Sequence, residues 1–211
     1  MEKEGHKISV KEILNVTGGE LVTGNEQCLF QNFERDSRNI KEGDMYLGIK
    51  GETVNGSIYF EEAFKNGAQG VILQEIQITE DQKEKYKNKV VIIVKDTIKA
   101  MQQLATYKRN MYNIPVVAIT GSVGKTSTKD MVASVMNQKF DTLKTEGNYN
   151  NHIGVPLTIF RLKNEEALTI EMGMNHFGEI STLTKIAKPT VCVITNIGTA
   201  HIGNLGSREN I

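Results

Sequence analysis

The stretch "VVAITGSVGKTSTKDMV" (116–132) constrains the fold of this 211-residue chain more than any other feature. Four apolar residues precede a loop containing Gly121 and Gly124, and a segment with helical character begins at Lys125. A buried parallel strand, a tight turn and a helix N-terminus in that order bring backbone N–H groups and the positive end of a helix dipole together. The stretch therefore predicts an α/β fold with an anion-binding loop at one edge of a parallel sheet.

The loop differs from the Walker A pattern G-x-x-x-x-G-K-[ST], because the residue five positions before Gly124 is Ile119. Its chemistry is still that of a nucleotide site: a lysine suits the outer phosphates and a threonine hydroxyl suits Mg²⁺. An ordinary strand–turn–helix connection with a solvated lysine is the alternative. The residues expected to bind the nucleotide are Thr120, Gly121, Ser122, Val123, Gly124, Lys125, Thr126 and Ser127.

Two α/β patterns follow each other along the chain. The first ends near Val94 and contains the apolar strands "GVIL" and "VVIIV", separated by "EDQKEKYKNK", which we interpret as a charged loop. A helix capped by Asp96 or Thr97 follows, and "NIP" ends it near residue 113. We predict an N-terminal domain at 1–96, a connecting helix at 97–114 and a second domain at 115–211.

The second domain is predicted to be a small parallel sheet with strands at 116–119, 141–145, 167–172 and 191–195 and helices at 125–138 and 179–187. The first of these helices is expected to face the sheet with the apolar residues Met131, Val132, Val135 and Met136. An open parallel sheet usually has more strands than this, so the sequence looks truncated and the domain incomplete.

Polar side chains follow the predicted strands at the edge that carries the glycine loop. Glu171 ends "ALTIEMGM" and could ligate Mg²⁺, although a glutamate there is often only solvated. His201 lies in the glycine-rich loop after "VCVIT", where a structural role is the alternative. Asn150 and Asn151 lie in "EGNYNNHIGVPLTIF", which could bind phosphate oxygens or simply form turns.

Composition excludes several classes of partner. Twenty-five basic and twenty-five acidic residues cancel, so no net field favours nucleic acid. The longest apolar runs are too short to span a bilayer, and the charged start "MEKEGHKISV" has no apolar signal core. Cys28 and Cys192 lie far apart, as in a reduced cytoplasmic protein. We predict a cytoplasmic protein without nucleic-acid partners or membrane insertion.

Several ordered motifs together resemble the Mur ligase family. These are "DSRNIKEGDMYLGIKGE", "TGSVGKTSTKDM", "TEGNYNNHIGVPLT", "EMGMNHFGEI" and "TNIGTAHIGNLGS". They look most like the members of that family that add D-alanyl-D-alanine, and the family uses the shorter loop T-G-x-x-G-K-[ST]. The resemblance implies an N-terminal UDP-binding module, a central parallel-sheet ATPase domain and a C-terminal domain, of which this chain would supply the first and an incomplete second.

The resemblance also implies an activity. With ATP and Mg²⁺ as cofactors, such a protein joins D-alanyl-D-alanine to UDP-N-acetylmuramoyl-tripeptide through an acyl phosphate. This step belongs to peptidoglycan precursor synthesis, and thus to cell wall biogenesis, cell shape and cell division. The full-length parent would be a monomer.

By the same resemblance, Lys125 holds the β- and γ-phosphates, while Thr126 and Glu171 ligate the bridging Mg²⁺. His201 would help to hold a second Mg²⁺. The remaining implied site residues are Asn150 and Asn151 at the ATP and acyl-phosphate site, with Asn151 among the catalytic residues, and Ser37 and Arg38 at the UDP-sugar.

Three departures from the family pattern affect these expectations. His152 stands where an acidic residue is common, and "NGSIYF" (55–60) replaces a G-H-[DQ] signature. The chain also ends at Ile211, before the expected carbamylated lysine and C-terminal domain, so we expect it to be inactive alone. The alternatives are a non-catalytic nucleotide or UDP-sugar-binding module and an unrelated phosphate-loop kinase or GTPase, which would leave "DSR" and "KGE" unexplained.

Overall fold

A computed structural model describes residues 5–211 of the chain. The described residues fall into two compact units: the first is His6–Tyr107, and the second is Lys108–Ile211 together with Gly5. Both units are α/β, as the sequence predicts.

The first unit is built on a five-stranded sheet in the order β2-β7-β6-β5-β4, with a separate antiparallel pair, β1 and β3. Strands β4 to β7 run parallel, and β2 joins β7 in the antiparallel sense. The central strands are buried on both faces, which explains their continuous apolar sequences. The strand bounds are β1 Ile8–Ser9, β2 Glu20–Thr23, β3 Leu29–Phe30, β4 Phe33–Glu34, β5 Met45–Leu47, β6 Gly70–Leu73 and β7 Val90–Ile93.

The helices of this unit have the end signals that the sequence indicates. Helix α1 (Val10–Thr17) begins with the predicted capping box between Ser9 and Glu12 and ends at Gly18 in the left-handed conformation. Helix α2 (Phe60–Lys65) buries its two phenylalanines against the sheet. Helix α4 (Thr97–Asn110) begins after Asp96, whose carboxylate accepts from the N–H of Lys99.

The prediction of a loop between β6 and β7 is wrong, because "EDQKEK" forms helix α3 (Glu80–Lys85). Thr79 and Gln82 make a second capping box, in which the Thr79 hydroxyl accepts from the N–H of Gln82. Acidic residues lie in the first turn and lysines in the last, which suits the helix dipole. The helix buries none of its side chains, so no apolar periodicity marks it in the sequence.

The second unit contains a wholly parallel sheet in the order β11-β8-β10-β9. The strands are β8 Val116–Thr120, β9 Thr142–Lys144, β10 Ala167–Glu171 and β11 Val191–Ile194. Strand β8 is central: the chain goes from it to β9 on one side and later to β11 on the other. The carboxyl end of β8 is therefore flanked by those of β10 and β11, the position where open α/β sheets bind ligands.

Four helices complete the second unit, with bounds α5 Lys125–Met136, α6 Gly154–Phe160, α7 Glu179–Ala187 and α8 Ile202–Leu205. The segment "GVPLTIF" is thus a helix, and it is almost completely buried. Over the described residues, none of the helices is long and apolar enough to cross a membrane.

The expected inward face of α5 is correct only in part: Val132 and Met136 are half-buried and Met136 contacts β10, but the other two expected residues face solvent. Met131 and Val135 are 71% and 72% exposed, whereas the buried positions are Lys129 and Ala133. The small side chain of Ala133 lets the helix approach the sheet, and the ammonium of Lys129 donates to a backbone carbonyl inside. Because an apolar count assigns a lysine to the surface, it does not recognise Lys129 as a buried position of this helix.

The last residues of α4, from Lys108 on, belong to the second unit, and two buried basic residues there bind backbone carbonyls of that same unit. The Lys108 ammonium donates to the Phe160 carbonyl at 2.7 Å, and Arg109 donates to carbonyls that include those of Tyr112 and Ala187. Burial lowers the pKa of Lys108 to about 8. Carbonyls at segment ends need donors when buried, and these two side chains supply them.

Lys108 makes the stability of the chain depend on pH. Its folded pKa lies below the ordinary lysine value of 10.5, so between pH 8 and 10.5 the unfolded chain binds more protons than the folded chain. The free energy of unfolding must therefore rise with pH there, by at most about 1.4 kcal/mol per unit from this group.

We expect the stability of the wild-type chain relative to Lys108→Met to increase between pH 7 and pH 10. Urea unfolding of both proteins at several pH values measures this difference. Lys185→Met, at an exposed position of α7, is the control and should show no such trend. A constant difference between wild type and Lys108→Met would contradict the assignment.

Candidate functional site

The glycine loop (residues 121–124) joins β8 to α5 at the carboxyl edge of the second sheet. Gly121 has φ 135°, and a Cβ there would lie 2.1 Å from the Thr195 hydroxyl. Gly124 has φ 85° and directly precedes the first turn of α5. Gly121 requires glycine because a Cβ would clash and because its φ is positive. Gly124 requires glycine only because its φ is positive. The predicted strand, turn and helix start are all present.

Two residues that follow β11 brace this loop. The Asn196 carbonyl accepts from the N–H of Ser122, and its side-chain oxygen accepts from the N–H of Val123. The Thr195 hydroxyl donates to the Val123 carbonyl at 2.6 Å. Sequence reasoning missed both residues. The available signal was their place in "VITNIG", directly after a strand that ends at the same edge as the loop.

Lys125 begins α5 and folds back over the glycine loop. Its ammonium donates to the Gly121 carbonyl at 2.7 Å and lies 3.4 Å from the Ser122 carbonyl. The side chain is half-buried and comes from the N-terminal turn of a helix, where the dipole favours anions. A phosphate group at this loop could replace the two carbonyl contacts with charge-assisted hydrogen bonds.

Thr126, Glu171 and Asn150 are brought together beside the loop, although they lie on three different segments. The Thr126 hydroxyl donates to Glu171 Oε2 at 2.9 Å, and the Asn150 amide donates to Glu171 Oε1 at 2.8 Å. Glu171 is the last residue of β10 and is nearly completely buried. Burying a carboxylate costs free energy unless it is hydrogen-bonded. The two hydrogen bonds offset this cost and hold the Glu171 carboxylate in one orientation.

The oxygen atoms of Thr126 and Glu171 fit Mg²⁺, which prefers hard oxygen donors. No group of three or more His, Cys, Asp or Glu side chains with metal-binding geometry occurs among residues 5–211. Mg²⁺ at nucleotide sites takes one or two protein ligands and completes its shell with phosphate and water oxygens. The donor set therefore suits a metal that arrives with a nucleotide rather than one held by the protein alone.

Two other predicted site residues have different surroundings. The side-chain oxygen of Asn151 accepts from the N–H groups of Ile153 and Gly154, so it organises the turn before α6. His201 is exposed, has φ 57°, and directly precedes α8. Within residues 5–211, no hydrogen bond joins its imidazole to Glu171. The predicted roles of Asn151 in catalysis and of His201 in metal binding stay predictions.

Ser37 and Arg38 lie in the first unit, in a short 3₁₀ helix. The Ser37 hydroxyl donates to Glu62 at 2.8 Å and is mostly buried. Arg38 is exposed, and its guanidinium makes two hydrogen bonds to Asp36, which lower the pKa of that carboxyl to about 2. Their predicted contact with a UDP-sugar stays a prediction.

The unusual "NGSIYF" segment forms a second 3₁₀ helix, Gly56–Tyr59. Ser57 is completely buried; its hydroxyl lies 3.2 Å from the Gly48 carbonyl and accepts from the N–H of Gln74. Ile58 and Tyr59 are exposed. The serine at this position thus has a structural role within the unit.

A central parallel strand, a glycine loop and a helix N-terminus, with a buried glutamate on the next strand, define the class of α/β proteins that place phosphate groups at a sheet edge. A model described as "Mur ligase middle domain" matches residues 119–211, and one described as "Mur ligase family, catalytic domain" matches residues 30–109. The chain belongs to the Mur ligase family.

Curated relatives and solved structures support the same assignment. The chain is 38% identical over 207 residues to UDP-N-acetylmuramoyl-tripeptide–D-alanyl-D-alanine ligase of Bacillus subtilis, covering 97% of this chain and 44% of that protein. It superposes on MurF from Acinetobacter baumannii with TM-score 0.86 and 33% identity, covering 98% of this chain and 45% of the other. MurF ligase from Thermotoga maritima in complex with ADP gives TM-score 0.75 and 34% identity, covering 85% and 40%. The chain therefore spans less than half the length of these relatives.

Proposed function

We propose that the chain provides the ATP-binding site of a ligase that joins D-alanyl-D-alanine to UDP-N-acetylmuramoyl-tripeptide during peptidoglycan precursor synthesis. The observation that carries this proposal is the pair formed by Thr126 and Glu171, 2.9 Å apart beside the glycine loop. The names of the relatives and the ADP complex of a 34% identical neighbour support it.

The proposed reaction has two steps. The γ-phosphoryl group of ATP passes to an oxygen of the terminal tripeptide carboxylate, and ADP leaves. The amine of D-alanyl-D-alanine then attacks the carbonyl carbon of the acyl phosphate and loses a proton. The C–O bond to phosphate breaks, an amide forms, and inorganic phosphate departs. Such chemistry depends on positioning the reactants and neutralising phosphoryl charge.

In this proposal Lys125 turns from the loop carbonyls to the β- and γ-phosphates. Thr126 and Glu171 would hold Mg²⁺, which would supply charge neutralisation at the phosphates. Asn150 fixes the second oxygen of the Glu171 carboxylate, so that one oxygen faces the Thr126 hydroxyl. The loop residues Thr120, Gly121, Ser122, Val123, Gly124 and Ser127 surround the nucleotide, and His201 and Asn151 act near the transferred group.

The remaining parts of the proposal concern the setting. We place the reaction in the cytoplasm, with Ser37 and Arg38 at the UDP-sugar and with a monomeric full-length enzyme. The 211 residues alone are expected to bind nucleotide without ligation, which is supported by their coverage of 44% of the curated relative.

A phosphate-release assay tests the proposal on the natural gene product that contains these residues. Release that requires ATP, Mg²⁺, UDP-N-acetylmuramoyl-tripeptide and D-alanyl-D-alanine together is the expected result. Release that is independent of the tripeptide or the dipeptide would overturn the ligase assignment. The same assay on the 211-residue chain is expected to show no release, and acceptor-dependent release there would refute its predicted inactivity.

A further inference from the structure

The carboxyl end of β9 departs from regular parallel pairing beside the predicted metal ligand. In a regular ladder Thr145 would donate to Thr169 and accept from Glu171 through its own backbone. The first bond is present, from the Thr145 N–H to the Thr169 carbonyl at 3.1 Å. The second is replaced: the N–H of Glu171 donates to the Thr145 hydroxyl at 3.0 Å.

The Thr145 carbonyl that is freed in this way accepts from Lys129. The distance from the Lys129 ammonium to this carbonyl is 3.0 Å, and Lys129 is only 3% exposed. The same ammonium lies 3.2 Å from Asp130, which also pairs with Lys144. A buried lysine that binds the end of a strand explains why α5 turns this face inward.

Thr145 therefore connects three segments of the predicted site. Lys129 lies one helical turn after Lys125 and links α5 to Thr145. The Thr145 hydroxyl fixes the backbone at Glu171, and the chain continues from Thr145 into the loop that carries Asn150. All of these bonds are buried or nearly so, where a hydrogen bond is electrostatically strong and an unpaired group is expensive.

We propose that Thr145, held by Lys129, is a positioning residue for Glu171 and thereby for Mg²⁺ at the nucleotide. The N–H of Glu171 is accepted by the Thr145 hydroxyl and not by the Thr145 carbonyl. Strand β9 can therefore diverge into the loop that carries Asn150 while the backbone at Glu171 stays fixed. Neither residue touches the nucleotide in this proposal. It rests on the proposed function, because it assumes that Glu171 serves a metal–nucleotide complex.

The test compares two substitutions of one residue in the 211-residue chain. Thr145→Val keeps the shape and removes the hydroxyl, whereas Thr145→Ser keeps the hydroxyl and removes a methyl group. Calorimetric titration with ADP, with Mg²⁺ and then with EDTA, gives the factor by which Mg²⁺ tightens binding. For Thr145→Val we expect this factor to fall about ten-fold, which is the effect of losing a buried hydrogen bond. The affinity for ADP in EDTA should stay within about two-fold of wild type. Thr145→Ser should match wild type.

Lys129→Met is a second variant that removes the other bond to Thr145 and should lower the same factor. Thermal melts establish that each variant is folded, and a drop in melting temperature alone does not count as support. An unchanged Mg²⁺ factor in folded Thr145→Val, or in folded Lys129→Met, overturns the positioning role while leaving the proposed function standing. If the wild-type chain binds no ADP either with Mg²⁺ or with EDTA, the proposed function is wrong, and the positioning role of Thr145 is then also wrong.

Discussion

Replacement of Lys125 by alanine is expected to weaken binding of Mg²⁺–ADP to the chain by about ten- to one-hundred-fold, the range for losing hydrogen bonds from a charged group. Turnover of the natural gene product should fall by at least about one hundred-fold, as when a single transition-state donor is removed. The reason is that Lys125 provides the mobile positive charge at the glycine loop, where its ammonium now rests on the Gly121 carbonyl.

The fold should survive this change, because the lysine is half-buried and binds carbonyls of its own loop. Lys185→Ala, on the exposed side of α7, is the matched control and should bind nucleotide as wild type does. Calorimetry measures affinity, and circular dichroism melts check that both variants are folded. Wild-type affinity in folded Lys125→Ala would remove this residue from the site.

Glu171→Gln is expected to abolish most of the tightening that Mg²⁺ gives to nucleotide binding. A charge pair about 4 Å apart is worth on the order of 4 kcal/mol at an effective dielectric constant of 20, so a drop of at least about ten-fold in the Mg²⁺ factor is expected. Affinity in EDTA should change little, because the glycine loop and Lys125 are untouched. The substitution keeps the size of the side chain, and one oxygen can still accept from Thr126 or Asn150.

Glu166→Gln provides the control for this experiment. Glu166 is an exposed glutamate just before β10, at the opposite end of the strand from Glu171, so the same change of charge is made away from the loop. It should leave both affinities unchanged. A Glu171→Gln variant that retains the full Mg²⁺ effect would show that the metal is held elsewhere.

The placement of polar residues at the strand ends could be predicted because it depends on local order. A β-branched strand, two glycines and a lysine before a helix are contiguous in sequence, and the helix does begin at Lys125. Glu171 could be assigned to the same edge because the carboxyl ends of parallel strands coincide. These inferences needed only the period of the strands and the chemistry of the residues.

What could not be predicted depends on contacts between distant segments. The inward turn of Lys129 follows from one carbonyl at Thr145, which the ladder leaves available. The bracing of the glycine loop by Asn196 joins positions more than seventy residues apart. Periodicity places apolar residues inside, and it has no means of recognising a lysine that is buried because it has a partner.

Exposed apolar side chains at β11 mark another limit of sequence reasoning. Val191 and Ile194 are more than half exposed, and Cys192 is also exposed, although the strand consists of apolar residues. Their sequence resembles that of a buried strand, but β11 lies at the edge of the described sheet. Sequence composition gives the type of element and cannot give its place in the sheet order.

We propose that the glycine loop, Lys125 and the Thr126–Glu171 pair form a metal–nucleotide site within these 211 residues. Calorimetric titration of the wild-type chain with ADP, in the presence of Mg²⁺ and then of EDTA, tests it most directly. We expect one binding site whose affinity is at least about ten-fold higher with Mg²⁺, the effect of one carboxylate oxygen beside the cation. Equal affinity in the two conditions, or no binding in either, would contradict it.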